Sequence, residues 1–390
     1  MTTSSEPGGV DDPFDTPVRR ILRQTVRRFA EREVVPYLAE WERAGEVPRE
    51  LHRKAAELGL LGIGAPEKAG GSGGDLVDVT VVTEALFEAG ASGGLVAALF
   101  THGIAVPHIA AAGDETQIDR WVRPTLAGEL IGALGVTEPD GGSDVAAIRT
   151  TARRYGEHYV VNGAKMFITS GVRADFVTVA VRTSGDGAAG ISLLVVEKGT
   201  PGFTTSAKLD KMGWLCSDTA ELSFTDCRVP VANLVGEENT GFAQLARQFV
   251  TERLSLAVQA YATAERCLDL TVAYARQRHT FGRPLISRQV VRHRLVAMRQ
   301  KVELARAYTR GIVVKHAAGE HPMAEACVAK NASVEACDWV ADQAVQVHGG
   351  MGYMRSSEVE RHYRDARILG IGGGANEILT DLAAKLWGYQ

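Results

Sequence analysis

The chain is poor in cysteine. It has five in 390 residues (Cys216, Cys227, Cys267, Cys327 and Cys337), odd in number and in no CxxC pair. That excludes a disulfide scaffold, and each thiol is expected to be a small buried hydrophobe in a reducing cytoplasm. The ten histidines form no HExxH or other metal spacing, so no metal site is expected. No uncharged apolar run approaches the length of a membrane span. The N-terminus, MTTSSEPGGVDDPFD, has no basic segment before an apolar core, so no secretory signal is predicted. A net charge of −4 offers no reason to bind nucleic acid. Lysine is scarce, ten against 33 arginines, and arginine is the better partner for phosphate.

What is present is an ordinary globular composition, 45% hydrophobic and 23% charged, long enough for two or three domains. Residues 1–14 read as a disordered lead-in. Residues 15–130 carry helical periodicity: Ile21, Val26, Phe29, Val34 and Leu38 form one stripe, and Pro48 opens a second helix striped by Leu51, Ala55, Leu58 and Leu61. Residues 131–240 switch to short β-branched, alternating segments (HYVVNGAKMFIT, FVTVAVRT, ISLLVVE, AELSFTD) with breaks predicted at Asn162-Gly163, Gly185–Gly187 and Gly202. Residues 241–390 return to long helices, one to about Arg276 and two more over 286–317 and 323–347, as in an antiparallel bundle. The fold class is α+β: an N-terminal helical domain, a central antiparallel β-domain and a C-terminal helical bundle.

Two motif matches fail on context. Gly70-Gly71-Ser72-Gly73-Gly74 fits GxSxG but lies between helices rather than after a strand. Gly370 through Ala375 fits GxGxxA, but no βαβ unit surrounds it and the chain ends before a ribose-binding acid could follow.

Five other segments carry chemistry. Val136-Thr137-Glu138-Pro139-Asp140-Gly141-Gly142-Ser143-Asp144 is a Pro/Gly turn whose N–H groups and hydroxyls can hold a polar ring or a phosphate, and equally a surface turn with a helix cap. Phe167-Ile168-Thr169 sets an aromatic beside a hydroxyl at a strand end. Arg276 through Pro284, with Gln289 beyond, makes a cationic corner suited to pyrophosphate or to a helix C-terminus. Gln346-Val347-His348-Gly349-Gly350 allows close backbone approach or caps a helix. Arg364-Asp365-Ala366-Arg367, then Ile371 through Ile378, puts a glycine run before a helix and offers N–H donors.

In this order, on an α–β–α frame, these segments resemble the acyl-CoA dehydrogenase family, and the likeness runs from about residue 15 to 388. The most specific pieces are VTEPDGGSD, CSDTAELSFTDCRVP, RQRHTFGRPL, QVHGGMGY and RDARILGIGGGANEI. The resemblance implies a C-terminal four-helix bundle, FAD between β-domain and bundle, an acyl-CoA substrate, electron-transfer flavoprotein as the electron acceptor, and a homotetramer. It implies that Leu134, Val136, Thr137, Gly142 and Ser143 contact the flavin or its pyrophosphate, with Ser143 also meeting CoA. Phe167, Ile168 and Thr169 would flank the isoalloxazine, Phe167 standing where many members have Trp. Arg278, Phe281, Gln289, Gln346, Val347, His348, Gly349 and Gly350 would serve a neighbouring subunit's FAD, and Ala375, Asn376 and Glu377 its adenosine side.

The reaction needs a base for the α-proton. Many members carry that Glu at the position occupied here by Gly373. Members resembling the isovaleryl- and long-chain-type enzymes carry it on the first bundle helix, before an Arg, and Glu252-Arg253 fits that layout. Glu252 lies one turn from both Phe249 and Leu256, so it shares an apolar face. A helix-surface salt bridge is the other reading of that position. Gly373 would retain an oxyanion-stabilising N–H. Phe249, Val250, Arg253 and Gly374 would face substrate. A flavin oxidase or monooxygenase on the same fold, an acyl-carrier-protein-linked dehydrogenase and a non-catalytic binding subunit are the competing functions.

Overall fold

The computed structural model describes residues 12–389, so most of the expected lead-in lies outside the described residues. Its end does not fit that expectation. Asp12 caps a 3-10 turn, Pro13–Asp15, and Phe14 is buried in one core cluster with Val77 and Val81. A single large aromatic outweighs the polar composition around it.

Helices then run from Pro17–Phe29 to Arg123–Leu126. Thr16 caps the first, with Pro17 at its first position. Val26, Ala30, Val34 and Leu38 are all buried and recur every four residues. A regular α-helix would rotate such a stripe by about 40° per step. A π-turn over Ala30–Val34 takes up the surplus. Ile21, read as part of that stripe, instead faces outward at 66% exposure. The helix after Pro48 is Arg49–Glu57; Leu51, Ala55 and Leu61 are buried, whereas Leu58 is exposed. Asp75 and Asp78 form a capping box that starts Leu76–Glu88.

The central domain is a seven-stranded sheet: β1 (Gly132–Gly135), β2 (Thr151–Tyr155), β3 (His158–Thr169), β4 (Phe176–Arg182), β5 (Ile191–Glu197), β6 (Phe203–Thr205) and β7 (Thr219–Pro230). The order is β1-β4-β2-β3-β7-β6, with β5 also on β4. Most pairings are antiparallel, as expected, but β1 runs parallel to β4, and β2 joins β4 through one parallel pair, Thr151 with Arg182. β4 and β5 are buried on both faces, which accounts for their unbroken apolar runs. The predicted break at Asn162-Gly163 is instead a β-bulge inside β3. Gly163 has φ +146°, and a Cβ there would stand 2.6 Å from Thr150 Oγ1. Asn162 spans the irregularity, donating to Asp226 Oδ1 at 3.1 Å and accepting its N–H at 2.8 Å.

The C-terminal domain is a bundle of Gly241–Gln277, Gln289–Ala317, Met323–His348 and Asn376–Leu386, with Glu358–Ala366 packed against it. Alanine and cysteine dominate its core, so the helices approach closely: Ala260, Ala264, Cys267, Cys337, Ala341 and Ala344 are all buried. Two buried carboxylates tie the domains together. Glu84 accepts from Tyr261 Oη at 2.6 Å and from Arg310 Nε at 2.9 Å. Asp365 accepts the backbone N–H groups of Gly94 at 3.1 Å and Trp214 at 2.6 Å, joining all three domains. No single helix among the described residues is long and apolar enough to cross a membrane.

Candidate active site

The Val136–Asp144 turn and the end of β3 meet over a buried ion pair. Lys165 is fully buried and donates to Val136 O at 3.0 Å and to Glu138 Oε1 at 2.8 Å. Glu138 also accepts the N–H groups of Arg149 at 2.6 Å and Thr150 at 2.9 Å. Desolvation alone would raise its carboxyl; Lys165 together with the Thr150 and Arg149 hydrogen bonds outweighs it and the carboxyl lies below the usual range, while burial draws the Lys165 ammonium down to about 8. This anchor fixes the turn, and Met166 N–H donates to Thr137 O at 2.8 Å. Val136, Thr137 and Leu134 are thereby set beside Phe167–Thr169. A Cβ built at Gly142 would stand 3.1 Å from Thr137 Cγ2, so the glycine lies close against Thr137, and Ser143 is exposed on the turn. Phe167 adopts a left-handed φ of +59° and presents its ring outward at 60% exposure, while Ile168 turns inward. A non-glycine residue held in the left-handed region with its ring displayed makes Phe167 a candidate site residue.

The second group lies on the bundle. A Cβ built at Gly373 would stand 3.6 Å from Glu252 Oε1 and 2.2 Å from Leu256 Cδ1, so Glu252 and the glycine run face one space. Glu252 is partly buried. Desolvation pushes its carboxyl above the usual glutamate range, against Arg253 and Lys330, which act on it as charges at a distance and not through hydrogen bonds. Gly373 (φ +64°) and Gly374 (φ +100°) make a left-handed turn that only glycine enters without strain. Among the described residues, the Gly373 N–H donates to no backbone carbonyl. Arg253 is 8% exposed, stacks its guanidinium 5.5 Å over the Phe249 ring, and among the described residues its Nε has no hydrogen-bond partner. Val250 was expected to face substrate. It is 4% exposed and packs into the core with Leu76 and Val77, because it lies on the helix face turned to the N-terminal domain.

The third group lies at one end of the bundle. After Gln277 the chain makes a small hairpin of His279–Thr280 and Arg283–Pro284, and Gln289 starts the next helix. Tyr274 stacks on His348 at 4.3 Å and donates to its carbonyl at 3.3 Å, which brings Gln346–Gly350 to the same end. Arg278 and Gln289 are exposed, and Phe281 is 96% exposed under the Arg288 guanidinium. Gly349 (φ +58°) and Gly350 border open space. Gln346 is exposed and Val347 partly buried, but the His348 ring is occupied, its Nδ1 lying 2.8 Å from Ala344 O. No hydrogen bond joins this group to the first among the described residues. An exposed arginine, an exposed phenylalanine and bare glycines fit a polyanionic, ring-bearing ligand. Ala375, Asn376 and Glu377 open the last helix. Asn376 is held from below, accepting at Oδ1 from Lys330 and at its carbonyl from Asn331.

Sequence reasoning passed over Lys165 and Lys330. Each is a charged side chain in register with the buried face of a strand or a helix, the same signal that singled out Glu252.

Family models match the chain in three consecutive stretches. The acyl-CoA dehydrogenase N-terminal domain covers residues 16–129, the middle domain 133–227 and the C-terminal domain 239–386. The chain is 41% identical over 369 residues to the mitochondrial long-chain specific acyl-CoA dehydrogenase of Rattus norvegicus, covering 94% of this chain and 85% of that one. A crystal structure of a putative acyl-CoA dehydrogenase from Mycobacterium smegmatis superposes with a TM-score of 0.96 at 65% identity, covering 97% and 100% of the two chains. The structure of a prolyl acyl carrier protein oxidase superposes with a TM-score of 0.91 at 29% identity, covering 96% and 100%.

Proposed function

This chain belongs to the acyl-CoA dehydrogenase family and is an enzyme of that kind; we propose that it converts an acyl-CoA thioester to the trans-2-enoyl-CoA with Glu252 as the base. The observation that carries the reading is the desolvated carboxylate of Glu252, without a hydrogen-bond partner among the described residues, facing the Gly373 turn. The α-hydrogen leaves as a proton to the Glu252 carboxylate, which becomes the neutral acid and later releases that proton to solvent. Desolvation suits this cycle, because it brings the base closer in strength to the substrate it must deprotonate. As the α-proton leaves, charge builds on the thioester oxygen, and the unengaged Gly373 N–H is the donor this chain supplies to it. Arg253, buried and with a free Nε, holds the CoA portion or orients Glu252. Bound FAD supplies the hydride acceptor for the β-hydrogen. Val136, Thr137, Gly142 and Phe167–Thr169 would hold its flavin, with Arg278, Phe281 and Gln346–Gly350 of another copy completing the adenine-dinucleotide part in a homotetramer. Electrons then pass to an electron-transfer flavoprotein. The five cysteines, all free and buried, suit a reducing cytoplasm.

The similarity to an acyl-carrier-protein oxidase favours a second reading, in which oxygen reoxidises the flavin or a carrier protein presents the thioester. One experiment separates them. Purified enzyme is given acyl-CoAs of graded length with a dye acceptor, and peroxide is measured in parallel. The proposal expects dye reduction by at least one acyl-CoA with little peroxide. Peroxide matching enoyl product one for one, or turnover with a carrier-protein thioester alone, would overturn it.

A further inference from the structure

Lys330 lies on the third bundle helix with no exposed surface, and among the described residues it has no carboxylate partner in an ion pair. An ammonium buried without a counter-ion is costly, and such groups are kept where their charge has a use. Its Nζ donates to Gly374 O at 2.8 Å and to Asn376 Oδ1 at 3.2 Å. Asn331, one residue on, holds the Asn376 carbonyl at 2.8 Å and Thr380 Oγ1 at 3.1 Å. Two neighbouring side chains of one helix therefore grip the glycine run where it turns into the last helix. On the other side of that run is Glu252.

We propose that Lys330 is a positioning residue for proton abstraction: its buried ammonium pins the Gly373–Gly374 turn through the Gly374 carbonyl and, beside the larger effect of Arg253, adds a positive charge that favours the carboxylate form of Glu252. The inference rests on Glu252 being the base. The charged and titratable groups that bear on Lys330 are Arg253 and Glu252 from the first bundle helix, Glu377 from the last, and Cys327 and Asp338 from its own. Burial and then Arg253 lower the ammonium to about 8, while Glu252 and Glu377 pull the other way. Below about pH 8 the charge is in place, and together with Arg253 it opposes the desolvation that raises the Glu252 carboxyl.

Two variants divide the roles. Lys330→Gln keeps an N–H donor for Gly374 O and removes the charge; Lys330→Met removes both. Each is purified with FAD, its FAD content and thermal midpoint recorded, and the anaerobic bleaching of flavin by acyl-CoA followed against pH. The acid limb of that profile, where the rate rises as the base loses its proton, should move up by roughly one pH unit in both. At the high-pH plateau Lys330→Gln should stay within a few-fold of the parent, with KM little changed, and Lys330→Met should fall about tenfold further. An acid limb unmoved in Lys330→Gln overturns the inference. So does a Gln variant that fails to fold or to hold FAD, since that outcome marks a structural lysine. Glu252→Gln assayed alongside separates the two claims. If it still bleaches the flavin, the base assignment has failed. If it is silent while the Lys330→Gln limb stays put, only the role of Lys330 has.

Discussion

If Glu252 and position 373 address one α-carbon, the base can be moved between them. In Glu252→Gly/Gly373→Glu the new Cβ starts 3.6 Å from where the old carboxylate oxygen stood, so a glutamate there reaches the same space. Two obstacles can be sized. Gly373 has φ +64°, and a side chain in that region costs about 1–2 kcal/mol. The new Cβ also meets Leu256 Cδ1 at 2.2 Å, so Leu256 must rotate away, with overpacking of about 1–3 kcal/mol. Together these consume a good part of a typical stability of roughly 5–15 kcal/mol, so the double variant should fold with a lowered melting temperature. Glu252→Gly alone should lose about 10²–10⁴-fold in flavin reduction. The double variant should regain part of that, short of full rate because misplacement by about 1 Å costs on the order of 10²-fold. Adding Leu256→Ala should raise both rate and melting temperature, since the obstructing atom is gone. Long and branched acyl groups should benefit less than short ones, because the new side chain occupies a glycine-lined space. The assay is anaerobic stopped-flow bleaching with short and long acyl-CoAs. A folded, FAD-loaded triple variant no faster than Glu252→Gly at every chain length would refute the shared-space reasoning.

Two further outcomes follow from other parts of the molecule. Arg278→Ala should weaken FAD binding by roughly ten- to a hundredfold, the loss of a charge-assisted phosphate contact of about 1.5–3 kcal/mol, and should loosen the oligomer on gel filtration; a monomer that holds FAD as tightly as the parent would contradict a site shared between subunits. At Glu358 burial alone would raise the carboxyl, but hydrogen bonds from His362 and Arg266 prevail and draw it down to about 2. Its stabilising share is therefore complete above about pH 4.5 and is lost as pH falls toward 2, up to about 3 kcal/mol. Glu358→Gln should flatten the fall in melting temperature over that acid range, and an unchanged slope would assign acid sensitivity elsewhere.

How far the sequence could be read depended on whether a feature was local. Long helices with alternating apolar faces announced the bundle, and its helix ends fell within a few residues of expectation; the start at Gln289 rather than 286 reflects the 3-10 turn Leu285–Ser287 and an extended Arg288. Glu252 stood out because a carboxylate on an apolar helix face needs a reason. Lys330 offered the same signal among alanines and cysteines, but its partners, Gly374 and Asn376, lie some 45 residues away and only the fold reveals them. The parallel pairing of β1 with β4 is equally non-local, a four-residue Gly-Ala-Leu-Gly strand whose partner begins at Phe176. Asn162-Gly163 misled for a local reason. The pair is a strong turn signal, and the bulge it makes here is stabilised by Asp226 from a strand no local pattern would pair with it.

The most direct test of the account is Glu252→Gln mixed anaerobically with acyl-CoA. The substitution keeps the side chain's size and removes its basicity, so the variant should fold, hold FAD and bind substrate. Its flavin should bleach about 10²–10⁴-fold more slowly than the parent's, or not at all. Bleaching at near the parent rate would show that another group takes the α-proton.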